Sequence, residues 1–124
     1  MGREKKEIGA LGEKIACEFL EAKGYRVKSK NFRTPFGELD IIARRGNLTV
    51  FIEVRTRTTS SLGPPFMSVT RLKQAHLINN ALFYLKRYGL ADSDWRIDVV
   101  SVKLNQDRVL EKIEHIENAV EESC

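Results

Sequence analysis

Three carboxylates stand out in the sequence because the stretch around them is strongly basic. Between Ala22 and Ala91 there are 13 lysine or arginine residues and only 3 acidic residues, which are Glu38, Asp40 and Glu53. Carboxylate oxygens are ligands that Mg²⁺ or Mn²⁺ favours, and such ions usually keep several waters that a phosphate can replace. A basic stretch of this size attracts phosphate backbones or anionic lipid. The pattern indicates a cation site set in a basic surface that suits nucleic acid.

A hairpin is predicted to position these carboxylates. Two segments rich in Ile, Val and Phe, Glu38–Arg45 and Leu48–Thr56, flank the pair Gly46-Asn47, which is typical of a two-residue turn. With this turn, Asp40 is expected directly across from Glu53.

The same geometry assigns faces to the first strand. Glu38 is expected across from Arg55. Because side chains alternate along a strand, Glu38 and Asp40 are expected on one face, with Leu39 and Ile41 on the other.

Opposed carboxylates need an explanation, because directly paired like charges are destabilising. A divalent cation held by Asp40 and Glu53 removes the problem, and the carbonyl of Val54 could add a further oxygen ligand. The alternative is that the two acids pair with Arg55 and Arg57 as surface salt bridges.

The remaining pattern predicts an α/β fold with a mixed sheet, in the order α-β-β-β-α-β(-β). The other predicted elements are a helix from Glu7 to Lys23 stopped by Gly24, a strand over Tyr25–Asn31, a turn over Thr34–Gly37, a loop over Thr58–Pro65, a helix capped by Ser68 and ending at Gly89, a strand over Trp95–Val102 and a weaker edge strand over Val109–Ile116. Gly12, inside the first helix, fits the pattern best if a close neighbour needs the space.

The composition bounds the class of protein. We expect one domain over residues 1–124, with a short charged lead (1–6) and an acidic tail (about 117–124). No apolar run approaches the roughly 20 residues that span a bilayer, and no signal peptide is evident, so a cytoplasmic protein without membrane contact is expected. The two cysteines and two histidines predict neither a disulfide framework nor a zinc cluster.

The order Asp40, then Glu53-Val54-Arg55, resembles the Asp…Glu-x-Lys core of the PD-(D/E)XK nuclease superfamily, with arginine where lysine is usual. More specifically, the chain resembles the bacterial YraN-type family of endonuclease-like proteins from Ile8 to about Ile116. The matching stretches are Gly9–Glu13, Asn31–Arg33, Gly37–Ala43, Phe51–Arg57, Lys73, Tyr84 and Arg96–Val100.

The resemblance implies a restriction-endonuclease-like core, close to that of archaeal Holliday-junction resolvases, and metal-dependent hydrolysis of DNA. Asp40, Glu53 and Val54 are then the expected ligands of Mg²⁺ or Mn²⁺. Glu13 matches a first-helix glutamate that approaches the metal in such resolvases. Little sequence specificity and a preference for branched DNA are expected, and a homodimer is plausible.

Arg55 is the departure from the pattern. Arginine can stabilise charge on a phosphate but cannot readily lose a proton, so it does not replace lysine equivalently. Lys73 is the candidate to supply an ammonium group, although it could also be an ordinary exposed helix charge. Glu38 could accept a hydrogen bond from Arg55 or act as a ligand. Asp98 is interpreted as a structural partner of a basic residue.

Five further basic residues are expected to contact the phosphate backbone without reading its sequence. They are Lys30, Arg33, Arg44, Arg45 and Arg57. Two other functions stay open: a non-catalytic nucleic-acid-binding module with a nuclease fold, and a protein-interaction domain whose acidic C-terminal segment docks on a basic partner or covers the basic face.

Overall fold

The computed structural model describes residues 2–58 and 70–120, which build a five-stranded mixed sheet and two helices. The elements are α1 (Gly2–Ala22), β1 (Arg26–Thr34), β2 (Gly37–Arg45), β3 (Leu48–Thr58), α2 (Arg71–Arg87), β4 (Trp95–Leu104) and β5 (Leu110–Val120). The strands lie in chain order; β3 and β4 run parallel, and every other neighbouring pair is antiparallel. The expected fold class and element order are confirmed.

Each face of the sheet is covered by one helix. On one face Ala16, Cys17 and Leu20 of α1 pack against a cluster that includes Ile41 and Ile52. On the other face the apolar side of α2 packs against a second cluster that includes Leu39, Ile42, Phe51 and Ile97. Consecutive residues of β3 are therefore buried on opposite faces, which explains its nearly continuous apolar sequence.

Several expected boundaries are wrong. The predicted lead is helical, because α1 begins at Gly2; residues 3–7 are charged helix formers, and Arg3 and Glu7 pair along the helix at 3.9 Å. Part of the predicted tail is strand, because β5 continues to Val120, which pairs with Ile97 and is buried.

The second helix starts later than predicted. Its N-cap is Thr70, whose hydroxyl accepts a hydrogen bond from the Lys73 N–H at 3.1 Å. Ser68 and nearly all of the predicted loop from Thr58 to Pro65 lie outside the described residues. The helix ends at Arg87, just before Gly89, whose φ of +66° suits a helix stop. No helix in the described ranges is long and apolar enough to cross a membrane.

Asp98 ties the two last strands together, as its interpretation as a structural partner required. Its fully buried carboxylate accepts two hydrogen bonds from Arg96 at 2.8 and 2.9 Å, one from the Asn118 N–H at 2.9 Å, and it lies 2.7 Å from His115 Nε2. Burial alone would raise the pKa of Asp98, but the hydrogen bonds from His115 and Arg96 lower it. The anion is thus held inside the fold, where it fixes β5 on β4.

Gly12 allows α1 to approach β3 closely. A Cβ atom placed on Gly12 would lie 1.9 Å from Oγ1 of Thr56 and 2.8 Å from its Cβ. This is the close neighbour that the glycine in the helical pattern implied. The contact also sets the position of the next residue, Glu13, relative to the end of β3.

We expect Gly12→Ala to destabilise the protein by about 1–3 kcal/mol, because the added methyl group overpacks the α1–β3 contact. Gly9→Ala is the matched control. Nothing lies within 4 Å of a Cβ at Gly9, so this change should stabilise the helix by about 0.5–1 kcal/mol. Urea unfolding of both variants measures the difference. Equal stability of the two would show that the α1–β3 approach is not constrained by Gly12.

Candidate active site

The β2–β3 hairpin has the predicted register, but its ladder stops at the carboxylates. The pairs run from Arg45–Leu48 to Ile41–Ile52, as expected. Beyond Ile52 the ladder ends, and Oδ2 of Asp40 accepts a hydrogen bond from the Val54 N–H at 2.9 Å. The prediction that Asp40 pairs with Glu53 in the ladder is therefore wrong, because a side-chain bond replaces the strand pairing.

The strict alternation of faces also breaks at this point. Leu39 packs in the cluster under α2, whereas Ile41 packs in the cluster under α1. Leu39 and Ile41 were expected to share one face of the sheet, and that expectation is wrong. The expectation that Glu38 and Asp40 share the other face rested on the same alternation of side chains.

Glu38 has a different partner from the one predicted. It pairs with Arg33 in the β1–β2 ladder, and the Arg33 Nε lies 3.8 Å from a Glu38 oxygen. The expected contact between Glu38 and Arg55 is therefore wrong; Arg55 instead approaches Glu53.

Asp40 and Glu53 form a close pair although they are not ladder partners. Glu53 is buried, with 5% of its side chain exposed, and Asp40 is half-buried. Burial first, and then the charge of Glu53, raise the pKa of Asp40 to about 8, whereas the hydrogen bond from Val54 lowers it. A hydrogen bond between the two carboxyl groups contributes as well, and it requires one of them to carry a proton.

Two cations approach Glu53 from different elements. Nη2 of Arg55 on β3 and Nζ of Lys73 on α2 each lie 3.4 Å from the same Glu53 oxygen. Part of the salt-bridge alternative thus holds, since Glu53 does pair with Arg55. Asp40 has no ion pair within residues 2–58 and 70–120. The Arg55 Nε is buried without an acceptor in that part of the chain.

Glu13 reaches the site from α1 through an amide that sequence reasoning did not identify. With its amide oriented as its neighbours require, Asn31 donates to Glu13 at 3.1 Å and to Glu38 at 3.0 Å. Burial raises the pKa of Glu13, and the charges of Glu38 and Glu53 add to the effect, although the bond from Asn31 opposes it. Asn31 has a φ of +53°, which asparagine tolerates better than most residues; its place in the matching stretch Asn31–Arg33 was a further signal, although no role was assigned to it.

The donor set fits a hard cation that keeps much of its water. No group of three or more His, Cys, Asp or Glu side chains gathers as a metal site in the described ranges. Two carboxylates remain, Asp40 and Glu53, and Val54 adjoins Asp40 through its N–H, which donates to that carboxylate at 2.9 Å. Few protein ligands and several waters are typical of Mg²⁺ rather than of structural zinc.

The basic residues predicted to contact phosphate divide into two groups. Near the carboxylates, Lys30 and Arg33 are exposed, and Arg57 lines a groove of about 410 Å³ between α1 and the end of β3. Lys5, Gly9, Glu13 and Arg55 also line that groove. Arg44 and Arg45 lie at the other end of β2, near the turn, where Arg45 stacks 4.5 Å over the Tyr25 ring.

Comparison with known proteins gives one consistent family. The family model described as "Uncharacterised protein family UPF0102" matches residues 12–102. A UPF0102 protein of Thermodesulfovibrio yellowstonii is 46% identical over 117 residues, which cover 91% of this chain and 95% of that protein. A UPF0102 protein of Alkaliphilus metalliredigens is 43% identical over 114 residues, covering 92% and 97%. One of Dehalococcoides mccartyi is 43% identical over 122 residues, covering 98% and 99%.

The raised pKa of Asp40 predicts how stability depends on pH. Since the pKa is raised from 3.8 to about 8, the folded protein holds a proton that the unfolded chain has already released in this range. The metal-free protein should therefore lose stability as the pH rises from about 4 to about 8. Asp40→Asn should remove this loss and exceed wild type at pH 8 by about 1 kcal/mol or more.

Urea unfolding in EDTA at pH 5 and pH 8 measures this effect. Asp92→Asn is the control, because Asp92 is an exposed carboxylate. A pH dependence that Asp40→Asn leaves unchanged would contradict the coupling of Asp40 to the buried pair.

Proposed function

This chain belongs to the uncharacterised protein family UPF0102, the YraN-type family that its motifs resemble, and we propose that it is a metal-dependent endonuclease that hydrolyses phosphodiester bonds in DNA. The observation that carries the proposal is the Asp40–Glu53 pair at the point where β2 and β3 separate, beside two cationic side chains. The resemblance to PD-(D/E)XK nucleases supports the same activity, and the mixed sheet is consistent with such a core.

Asp40 and Glu53 would hold Mg²⁺ or Mn²⁺, with the Val54 carbonyl as a further ligand. When bound, the ion activates water and neutralises charge on the scissile phosphate. The N–H of Val54 fixes Asp40 through its 2.9 Å hydrogen bond, so that this carboxylate is oriented before any ligand arrives. Release of the proton shared by the carboxyl pair frees both groups as ligands, because metal ligands must be deprotonated.

Lys73 supplies the ammonium group that the usual lysine provides in the motif. Its Nζ reaches the same Glu53 oxygen as Arg55, at 3.4 Å in both cases, although it comes from the first turn of α2. Lys73 is about half exposed, whereas Arg55 is mostly covered. Lys73 is therefore the better placed of the two to meet an attacking water, and Arg55 is better suited to hold a phosphate oxygen through its guanidinium.

Glu13 orients water or binds a second ion from the α1 side. Glu13 lines the same groove as Arg55, Lys5 and Arg57. Asn31 fixes the Glu13 carboxylate by a 3.1 Å hydrogen bond. The groove thus contains the half-buried Glu13 together with basic residues that attract a phosphate backbone. We expect it to bind the DNA strand next to the cleaved bond.

One observation favours a second function, a nucleic-acid-binding module that does not cut. Glu53 already has two cationic neighbours at 3.4 Å, and these neutralise it without any metal. If both pairs persist when DNA binds, Glu53 is a structural anion and the basic residues alone carry the function.

The test is cleavage of branched, single-stranded and duplex DNA with Mg²⁺, Mn²⁺ or EDTA. Wild type should cut only with a metal, and Glu53→Gln should lower the rate by about 100-fold or more while DNA binding in EDTA is kept. Lys73→Gln should lower the rate more than Arg55→Lys, because the latter restores the usual residue. Glu111→Gln is the control, since Glu111 is a surface acid paired with Lys103 at 3.3 Å.

Two outcomes would contradict the proposal. If purified wild type binds DNA but cuts no substrate with any metal, the binding-module function replaces it. If Glu53→Gln cuts as fast as wild type, the activity does not come from this site.

A further inference from the structure

A second cluster of charged side chains lies at the end of β2 that is farthest from the carboxylates. Arg26 on β1 and Arg44 on β2 are directly paired in the ladder. Together with Lys28 and Gly46 they line a cavity of about 310 Å³ beside the hairpin turn. Since a water takes about 30 Å³ of liquid volume, this cavity has room for a phosphate group and several waters.

The charges around this cavity are not balanced by nearby acids. Its lining residues include no carboxylate. Arg26, Lys28 and Arg44 form no ion pair with any described residue, and the Nε of Arg44 is buried without an acceptor there. Directly opposed like charges destabilise a strand pair. An anion between Arg26 and Arg44 would relieve this repulsion, just as a bound cation would relieve it between Asp40 and Glu53.

A basic edge strand connects this cavity to the carboxylates. β1 is the first strand of the sheet, and its Arg26, Lys28, Lys30 and Arg33 are exposed. The distance along β2 from Arg44 to Asp40 is four residues, or about 14 Å at roughly 3.4 Å per residue. Both sites are therefore close enough to contact the same strand of a nucleic acid.

We propose that the cavity between Arg26, Lys28 and Arg44 is a second phosphate-binding site, which holds the nucleic-acid backbone at a distance from the carboxylate pair. Arginine suits this role because its planar guanidinium binds two phosphate oxygens at once. The proposal rests on the proposed function in taking the same DNA as ligand. It adds the path of the substrate, which runs along β1 and is fixed at two points without reading bases.

Edge-strand charges have another common use, because lysines on a sheet edge prevent pairing with other chains. That use requires no anion at the cavity. It predicts that neutral variants aggregate more readily but bind DNA as wild type does.

Binding of fluorescently labelled DNA in EDTA, measured by anisotropy over a series of salt concentrations, tests the proposal without requiring cleavage. Arg44→Gln and Arg26→Gln should each weaken binding by about tenfold at low salt and reduce the slope of log K against log salt by about 1. Lys14→Gln removes the same charge from an exposed position on α1 and should change affinity by less than about twofold. Because Arg26 is exposed, Arg26→Gln is expected to fold, and it still tests the proposal if Arg44→Gln does not fold.

The proposal is overturned if both variants bind DNA with the affinity and salt slope of Lys14→Gln. A second arm titrates inorganic phosphate into wild type and Arg26→Gln and follows the backbone amides by NMR. Phosphate-induced shifts at Arg26, Lys28 and Arg44, together with weakened DNA binding, support the backbone as the source of the phosphate. Such shifts with unchanged DNA binding also overturn the proposal and assign the cavity to a small phosphate compound. If the protein binds DNA through this cavity but never cuts it, the proposed endonuclease activity is contradicted and the proposed phosphate-binding site is not.

Discussion

Repulsion between the carboxylates of Asp40 and Glu53 is the interaction around which the rest of the site is arranged. Two acids in a partly buried position disfavour their charged forms, so Asp40 retains a proton near neutral pH unless a metal ion binds, even though Arg55 and Lys73 lie close to Glu53. The hairpin gives up its next ladder pair at this point and uses the Val54 N–H to hold Asp40 instead. This arrangement lowers the stability of the fold, and proteins retain destabilising features of this kind mainly at functional sites.

Each helix places one charged side chain beside the carboxylate pair, and a specific local contact positions each helix. The Gly12–Thr56 approach places α1, and with it Glu13, against the end of β3. The Thr70 cap starts α2 so that Lys73 in its first turn reaches Glu53. Acidic and basic side chains from four elements, α1, β2, β3 and α2, thus meet where β2 and β3 separate.

The helices, strands and turns could be predicted from the sequence more accurately than the partners of individual side chains. The turn at Gly46-Asn47 was predicted from its residue types, and the register followed from it down to Ile41–Ile52. The next pair could not be predicted, because only the fold shows that a side chain of Asp40 replaces a backbone partner. For the same reason the partner of Glu38 was wrong, since it depends on β1 lying beside β2.

The way in which the charged residues group in space could also be predicted only in part. A basic segment is visible in the sequence, but its division between the carboxylate edge and the cavity at Arg44 depends on the length of β2. Lys73 was recognised as a candidate although no spacing rule linked it to Glu53, and the crossover of α2 explains the contact. The role of Asn31 was not predicted, although the residue lies in the matching stretch Asn31–Arg33, because an amide that bridges two acids leaves no pattern in the chain.

The most direct test of the carboxylate pair as a cation site is a crystal structure of the protein soaked in Mn²⁺, with the ion located by its anomalous scattering. We expect one strong peak within coordination distance of both Asp40 and Glu53, which Asp40→Asn removes. A structure without that peak, in which Glu53 still contacts Arg55 and Lys73, would contradict this expectation.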